Sequence, residues 1–337
     1  MPTGPLQAVR FWLILALLGS IALLPLSAEP KLLVEKSIDG QAYINLKSLA
    51  DYFGMRSSWF EGGKQFRLKS EWTTLDFEVN NRLMRINGLP VYLGFLPKKS
   101  SDALYLSQSD FHQVLQPIMT PQVFEGRPQY RRIVIDPGHG GNDSGARNED
   151  YGLEEKMLTL DVAKRLKVLL EPVGFEVFLT RDTDVYVPLE RRAEIANQIR
   201  ADLFISLHFN AAASTTAEGF ESFALTPQGQ SSTRSASLSA GDVVKYRGNA
   251  MDPWNMLLSY YLQEALVDGL GGTNRGLKRA RFAVLKDLNC PGVLTELGFL
   301  THSRTAEKIS LDSHRERLAQ TLYNGIVGYA NRLKRLK

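Results

Sequence analysis

Four strand ends or adjacent loops of this chain present polar groups that a core would not choose. His139 follows RIVIDPG in a glycine-rich turn, and His208 follows LFISL. Glu296 follows GVLT, and the pair Glu154 and Glu155 opens the helical pattern LEEKMLTLDVAKRL. Two imidazoles and one carboxylate make a three-ligand zinc site with a fourth position left for water. A second carboxylate beside such a site can act as general base and acid. The spacing is not the two-histidine helix pattern of common metalloproteases, so separate elements must assemble the site. Each residue also has a plainer reading. His139 could satisfy turn hydrogen bonds, His208 could be a core histidine, and Glu296 could sit in a buried ion pair, since an unpaired buried carboxylate is costly. Either glutamate of the pair could merely complement the helix dipole.

Helical spacing separates the two glutamates. Glu155, Leu158, Val162, Leu166 and Leu169 recur every three or four residues and share a face. Glu154 leads instead to Leu158, Asp161 and Arg165, a more polar stripe. Glu155 is therefore expected to point toward the sheet and Glu154 toward solvent.

The elements that must position these groups alternate from residue 131 onward. Strands are read at RIVID, EVFLTR, LFISLHFN, GFESFAL and PGVLTELGF, with helices between them and a long closing helix from residue 314 to 333. Such alternation implies an α/β fold with a mixed, mostly parallel sheet covered by helices on both faces. Ligands bind outside the carboxyl ends of strands in such sheets. Residues 31–119 read differently, as a small α+β strand-rich domain with hairpin turns at Asn80-Asn81 and Asn87-Gly88. Leu49, Tyr52 and Phe53 find loose counterparts in Phe111, Val114 and Leu115, a faint internal echo. Residues 120–130 carry two prolines and no periodicity and are taken as the linker.

The chain has 337 residues, of which 44% are apolar and 23% charged, proportions that build a core. Forty Lys and Arg oppose 36 Asp and Glu, and Arg332, Lys334, Arg335 and Lys337 carry the whole excess. No broad basic field remains for nucleic acid. The tail itself is read as a solvated helix end. A single cysteine, Cys290, excludes an internal disulfide and a Cys-rich zinc site. Residues 1–28 read as an export signal: Arg10, an apolar run over 11–26, then the small-residue step Leu26-Ser27-Ala28. The run is short for a bilayer span, which needs about 20 residues, so no membrane span is expected in the mature chain. The expected location is the periplasm or cell envelope.

Taken in order, IVIDPGHGGNDSGA, LEEKMLTLDVAKRL, FLTRDTD, ERRAEIAN, ADLFISLHFNAA, RGLKRARFAVL and GVLTELGFLTH resemble the zinc-dependent N-acetylmuramoyl-L-alanine amidases. The likeness runs from residue 131 to about residue 333. It implies that His139, Glu155 and His208 bind zinc and that Glu296 is catalytic. It also implies peptidoglycan as partner and hydrolysis of the amide between N-acetylmuramic acid and L-alanine. An unidentified protein activator is left open. YINLKSLADYFG resembles the N-terminal domain of copper amine oxidases, and implies a spacer or wall-binding role for residues 31–119 without copper chemistry.

Three further expectations attach to this scheme. Asn210, two residues past His208, either supports the metal ligands or makes ordinary strand-end hydrogen bonds. Arg192 is read as structural. The Ser-rich stretch 226–253 lies between the strands of His208 and Glu296 and is read as a passive loop, a substrate-contacting loop or a lid. A non-catalytic wall-binding factor and a zinc peptidase acting within the stem peptide are the rival functions.

Overall fold

A computed structural model describes residues 33–235 and 237–336. The export segment 1–28 lies outside the described residues. Nine short strands build the first part: β1 (Glu35–Ile38), β2 (Gln41–Asn45), β3 (Arg56–Phe60), β4 (Gln65–Lys69), β5 (Thr74–Glu78), β6 (Leu83–Ile86), β7 (Leu89–Tyr92), β8 (Lys98–Ser100) and β9 (Ala103–Ser107). β1, β2, β9 and β8 form a four-stranded antiparallel sheet. Strands β3 to β7 form an antiparallel meander. Phe66 and Leu68 of β4 and Leu75 and Phe77 of β5 alternate inward. The two-residue turn between β6 and β7 is Asn87-Gly88, with φ of 50° and 84°. Those values are what a tight hairpin of right-twisted strands needs, and Asn and Gly tolerate them. The faint internal echo has a structural counterpart. β2 and β9 are adjacent, and each leads into a helix capped by a side chain, Asn45 in one case and Ser107 in the other.

The second part contains β10 (Arg132–Pro137), the two-residue strands β11 (Arg147–Asn148) and β12 (Leu153–Glu154), β13 (Glu176–Leu179), β14 (Leu203–Asn210), β15 (Phe220–Leu225), β16 (Asn274–Ala280) and β17 (Gly292–Phe299). The sheet order is β13-β10-β14-β17-β15-β16. All neighbours are parallel except β15 with β17. The expected mixed, mostly parallel sheet with helices on both faces is what the chain adopts. On one face Ile133, Ile135, Leu203, Ile205, Leu207 and Val293 pack under the helices Glu155–Leu170, Asp252–Leu270 and Asp312–Arg335. On the other, Val134, Phe204, Phe223 and Leu294 pack with Ala193 and Ala196 of the helix Leu189–Ile199. The period of two along each strand sends alternate residues to opposite cores.

β16 was not anticipated from the sequence. Its text, NRGLKRA, carries Arg275, Lys278 and Arg279, which hide a buried strand behind polar letters. The cations are tolerated because acids meet them: Lys278 pairs with Glu221, and Arg279 with Asp252 at 2.5 Å.

The sheet does not stop at β16. β7 joins it in parallel at Leu277 and Val91, so the meander of the first part extends the same sheet to eleven strands. The core of the first part accordingly includes Met256, Tyr260 and Leu277. In the stretch 226–253 the described residues are irregular apart from two short 3-10 turns and the start of the helix Asp252–Leu270, and the stretch is fastened to this junction. Arg82 of the first part donates to Ser231 Oγ and to the carbonyl of Ser235. Gln230 Nε2 donates to Ser109 Oγ and Gln113 Oε1 at 2.9 and 2.7 Å. Leu277→Ala is expected to cost about 2–4 kcal/mol, the usual range for a buried leucine deletion. Urea unfolding would measure the loss, and hydrogen exchange should quicken at β7 and β16 together. Faster exchange in only one of them would refute a shared core.

Candidate functional site

Three segments distant in sequence bring donors to one point at the carboxyl end of the sheet. The ligand atoms of His139, Glu155 and His208 lie within 4.8 Å of one another. Glu155 Oε1 sits 3.1 Å from His139 Nε2 and 2.9 Å from His208 Nδ1. Donors on a tetrahedral zinc with bonds of about 2.0–2.1 Å stand roughly 3.3 Å apart, so the cluster needs only small adjustment to hold one. Two imidazole nitrogens with one carboxylate oxygen is also a donor set that suits zinc. Glu154 takes no part and pairs instead with Arg147 at 3.0 Å.

Each donor is fixed by its neighbours. His139 adopts φ of 62°, in the left-handed region, between Gly138 and Gly140. That aims Nε2 at Glu155 while Nδ1 lies 2.9 Å from Asp143 Oδ2. A carboxylate on the far nitrogen orients the ring and sets its tautomer. Glu155 stands in the first turn of its helix and is nearly inaccessible. Its Oε1 accepts from Phe209 N at 2.9 Å and its Oε2 from Ala146 N at 2.8 Å. Burial would raise this carboxyl, but the two imidazoles outweigh burial and hold it at about 2. Burial would likewise lower His139, yet Glu155 and Asp143 raise it.

The turn bearing His139 is held from beneath. Arg192 Nη2 donates to the His139 carbonyl at 2.8 Å, and its Nη1 pairs with Asp136 at 2.8 Å. Asp136 also accepts from Thr180 Oγ1 and Ser206 Oγ, so this buried acid is satisfied by a helix, by β14 and by the residue that follows β13. Arg181 donates to the Gly138 carbonyl at 2.8 Å. Arg192 is thus structural, as its position on the helix suggests, but what it supports is the turn that carries His139. The fragment FLTRDTD contained Arg181, whose part is visible only once the turn is built.

Glu296 lies across from His208 in the β14–β17 register. Its Oε2 is buried with no hydrogen-bond partner among the described residues. Burial and the carboxylates of Glu155 and Glu221 push Glu296 well above the usual carboxylate range, while Arg234 and Lys278 pull the other way. A buried carboxyl with an unpartnered oxygen and a raised pKa, beside three converging donors, is an arrangement suited to proton transfer.

Asn210 does not reach the three donors. Its Nδ2 donates to Glu221 Oε1 at 2.7 Å, which favours the strand-end alternative. Glu221 itself was missed. An acid inside the apolar strand GFESFAL was the available signal, the same one that marked Glu296.

Close packing explains two of the glycines. A Cβ on Gly138 would lie 2.3 Å from the His208 ring, and one on Gly145 would meet Glu155 Oε2 at 2.6 Å. Gly138→Ala is expected to destabilise the metal-free protein by about 1–3 kcal/mol, the usual range for overpacking. Urea unfolding would measure this, with far-UV circular dichroism unchanged at rest. An unaltered midpoint would show that the His208 ring has room to move.

The family profile described as N-acetylmuramoyl-L-alanine amidase matches residues 133–327. The chain is 33% identical over 225 residues to the N-acetylmuramoyl-L-alanine amidase AmiC of Escherichia coli O6:H1, covering 60% of this chain and 54% of that protein. It is 34% identical over 198 residues to the N-acetylmuramoyl-L-alanine amidase LytC of Bacillus subtilis, covering 58% of this chain and 35% of that one. The chain thus spans about half the length, or less, of these curated relatives. The CwlD amidase of Clostridioides difficile, solved in complex with the GerS lipoprotein, superposes with a TM-score of 0.50 at 28% identity. That match covers 60% of this chain and 98% of CwlD. Matched over more than half its length, the chain belongs to the N-acetylmuramoyl-L-alanine amidase family.

Proposed function

We propose that this chain is a peptidoglycan hydrolase that cleaves the amide between the lactyl group of N-acetylmuramic acid and L-alanine. The carrying observation is the convergence of His139, Glu155 and His208 on one point with the orphaned carboxyl of Glu296 beside it. These three residues would hold a zinc ion. Zinc supplies Lewis acidity that polarises an amide carbonyl and acidifies water.

The chain's own groups do the rest. Asp143 and the Phe209 and Ala146 amides keep the donors in place, so little reorganisation accompanies the reaction. Glu296, whose ionised form a dication held by the three donors would favour, would then take a proton from the attacking water and later return it to the leaving nitrogen. A carboxyl whose surroundings favour the protonated form keeps that proton until the nitrogen needs it. The products are a new carboxylate on the lactyl group and a free amine on alanine.

The remaining expectations belong to the same reading. Residues 1–28 direct export to the periplasm or envelope. Among the described residues no helix is long and apolar enough to cross a membrane. Residues 31–119 serve as a spacer or wall-binding part similar to the N-terminal domain of copper amine oxidases, joined through 120–130 to the catalytic residues 131–337. A protein activator fits with CwlD, solved with the GerS lipoprotein.

Purified sacculi digested with and without a chelator, with products identified by mass spectrometry, test the activity. Free peptides beginning with L-alanine support it; fragments cut within the stem support a peptidase, and no release supports a binder. Glu296→Gln should reduce release by at least about a hundredfold with zinc content unchanged. His139→Ala or His208→Ala should lose zinc and activity together; a variant that keeps full zinc would remove that histidine from the ligand set.

Zinc affinity should also fall with pH. His139 is raised by its carboxylate neighbours, so protons compete with zinc for it more strongly than for an ordinary imidazole. Affinity is expected to be at least about tenfold weaker at about pH 5.5 than at about pH 7.5, read by chelator competition. Equal affinity at both would exclude the histidines as ligands.

A further inference from the structure

A second polar cluster lies on the side of Glu296 away from the histidines. Glu221 stands opposite Glu296 in the β15–β17 register, as His208 does on the other flank. His208, Glu296 and Glu221 therefore form a row across three adjacent strands. Glu221 is fully buried and accepts from four side chains. Lys278 Nζ binds Oε2, and Arg275 Nε reaches the same oxygen at 3.0 Å. Asn210 and Arg234 Nη2 reach Oε1 at 2.7 and 3.2 Å.

Three cations meet Glu221, with Glu296 the next carboxylate in the row, and burial divides those cations by role. The Lys278 side chain is 8% exposed, that of Arg275 31% and that of Arg234 69%. Lys278 alone neutralises Glu221. The two arginines add positive charge at the rim that a structural pair does not need. Arg275 is further steadied over the Phe299 ring, 4.8 Å from its centroid, and by the Glu218 carbonyl. Arg234 makes one hydrogen bond among the described residues, so most of its guanidinium faces outward. The stretch that carries it is pinned on either side, by Arg82 at Ser231 and Ser235. The backbone that carries Arg234 is therefore held in place before any ligand arrives.

The direction of the reaction identifies the occupant. This step rests on the amidase reading, in which Glu296 returns its proton to the leaving nitrogen. The chain attached to that nitrogen is then on the Glu296 side of the metal-facing donors, and the next group along the row is the Glu221 cluster. We propose that Arg234 and Arg275 form a carboxylate subsite that binds a free carboxylate on the peptide leaving with the nitrogen. Guanidinium groups suit that ligand because their paired donors match its two oxygens.

The test uses two N-acetylmuramoyl-L-alanyl peptides that differ only in whether the residue after alanine carries a free carboxylate or a carboxamide. It also measures equilibrium binding of the two corresponding peptides lacking the sugar. The wild-type zinc-loaded protein is expected to show a KM about tenfold lower for the carboxylate substrate, a typical worth of one charge-assisted hydrogen bond. Arg234→Ala should raise KM for that substrate alone and erase the preference, and Arg234→Lys should recover part of it. Arg234 is exposed, so its removal is not expected to disturb folding. Equal cleavage of both substrates by the wild type, or an Arg234→Ala loss equal on both, overturns the subsite while leaving the amidase reading intact. No cleavage of either, with Arg234-dependent binding of the carboxylate peptide, overturns the amidase reading while the subsite stands. No preference in binding and no cleavage overturns both.

Discussion

One oxygen of one buried carboxylate organises this molecule's chemistry. Glu155 Oε1 is within hydrogen-bond reach of both His139 and His208. An ionised carboxylate is costly to bury unless opposite charge and donors surround it. Two imidazoles and one backbone amide reach that oxygen, from a glycine turn and a strand end that share no local sequence, and the Ala146 amide reaches the other oxygen. The folded sheet pays for this convergence through its hydrophobic faces, because the ends of β10 and β14 must arrive at one level before the oxygen is satisfied.

The support below the donors follows the same logic. Asp136, fully buried on β10, is met by Arg192, Thr180 and Ser206, which tie a helix, the residue that follows β13 and β14 to the base of the His139 turn. Glycine at 138 and 145 lets rings and carboxylate approach the backbone more closely than any Cβ would allow. The left-handed backbone at His139 is retained because four arginine-to-carbonyl bonds hold residues 137–139.

Much of this was legible before any coordinates. The alternation of apolar runs with amphipathic helices determined the sheet class, and the polar residue after each run marked the end at which the site forms. The helix-face pattern chose Glu155 over Glu154, because the direction of a first-turn residue is set by the periodicity that follows it. What was illegible had a common cause. Arg181, Glu221 and β16 each depend on a partner far away in sequence, and a lone charge in the text does not name its counter-charge. NRGLKRA reads as solvated until Glu221 and Asp252 are seen against it. The continuation of the sheet through β7 was hidden likewise, since a pairing between Val91 and Leu277 leaves no trace in local pattern.

That pairing bears on how the molecule can be divided. Cut at residues 120–130, the C-terminal piece would end its sheet at β16, with backbone donors and acceptors bare and Leu277, Met256 and Tyr260 stripped of their cover. Raw sheet borders of this kind recruit other chains. Arg82 would also be gone, releasing the tether on the segment that carries Arg234. The N-terminal hundred residues are in this sense the selvedge of the fabric: removing them frays the cloth and loosens the thread nearest the reaction.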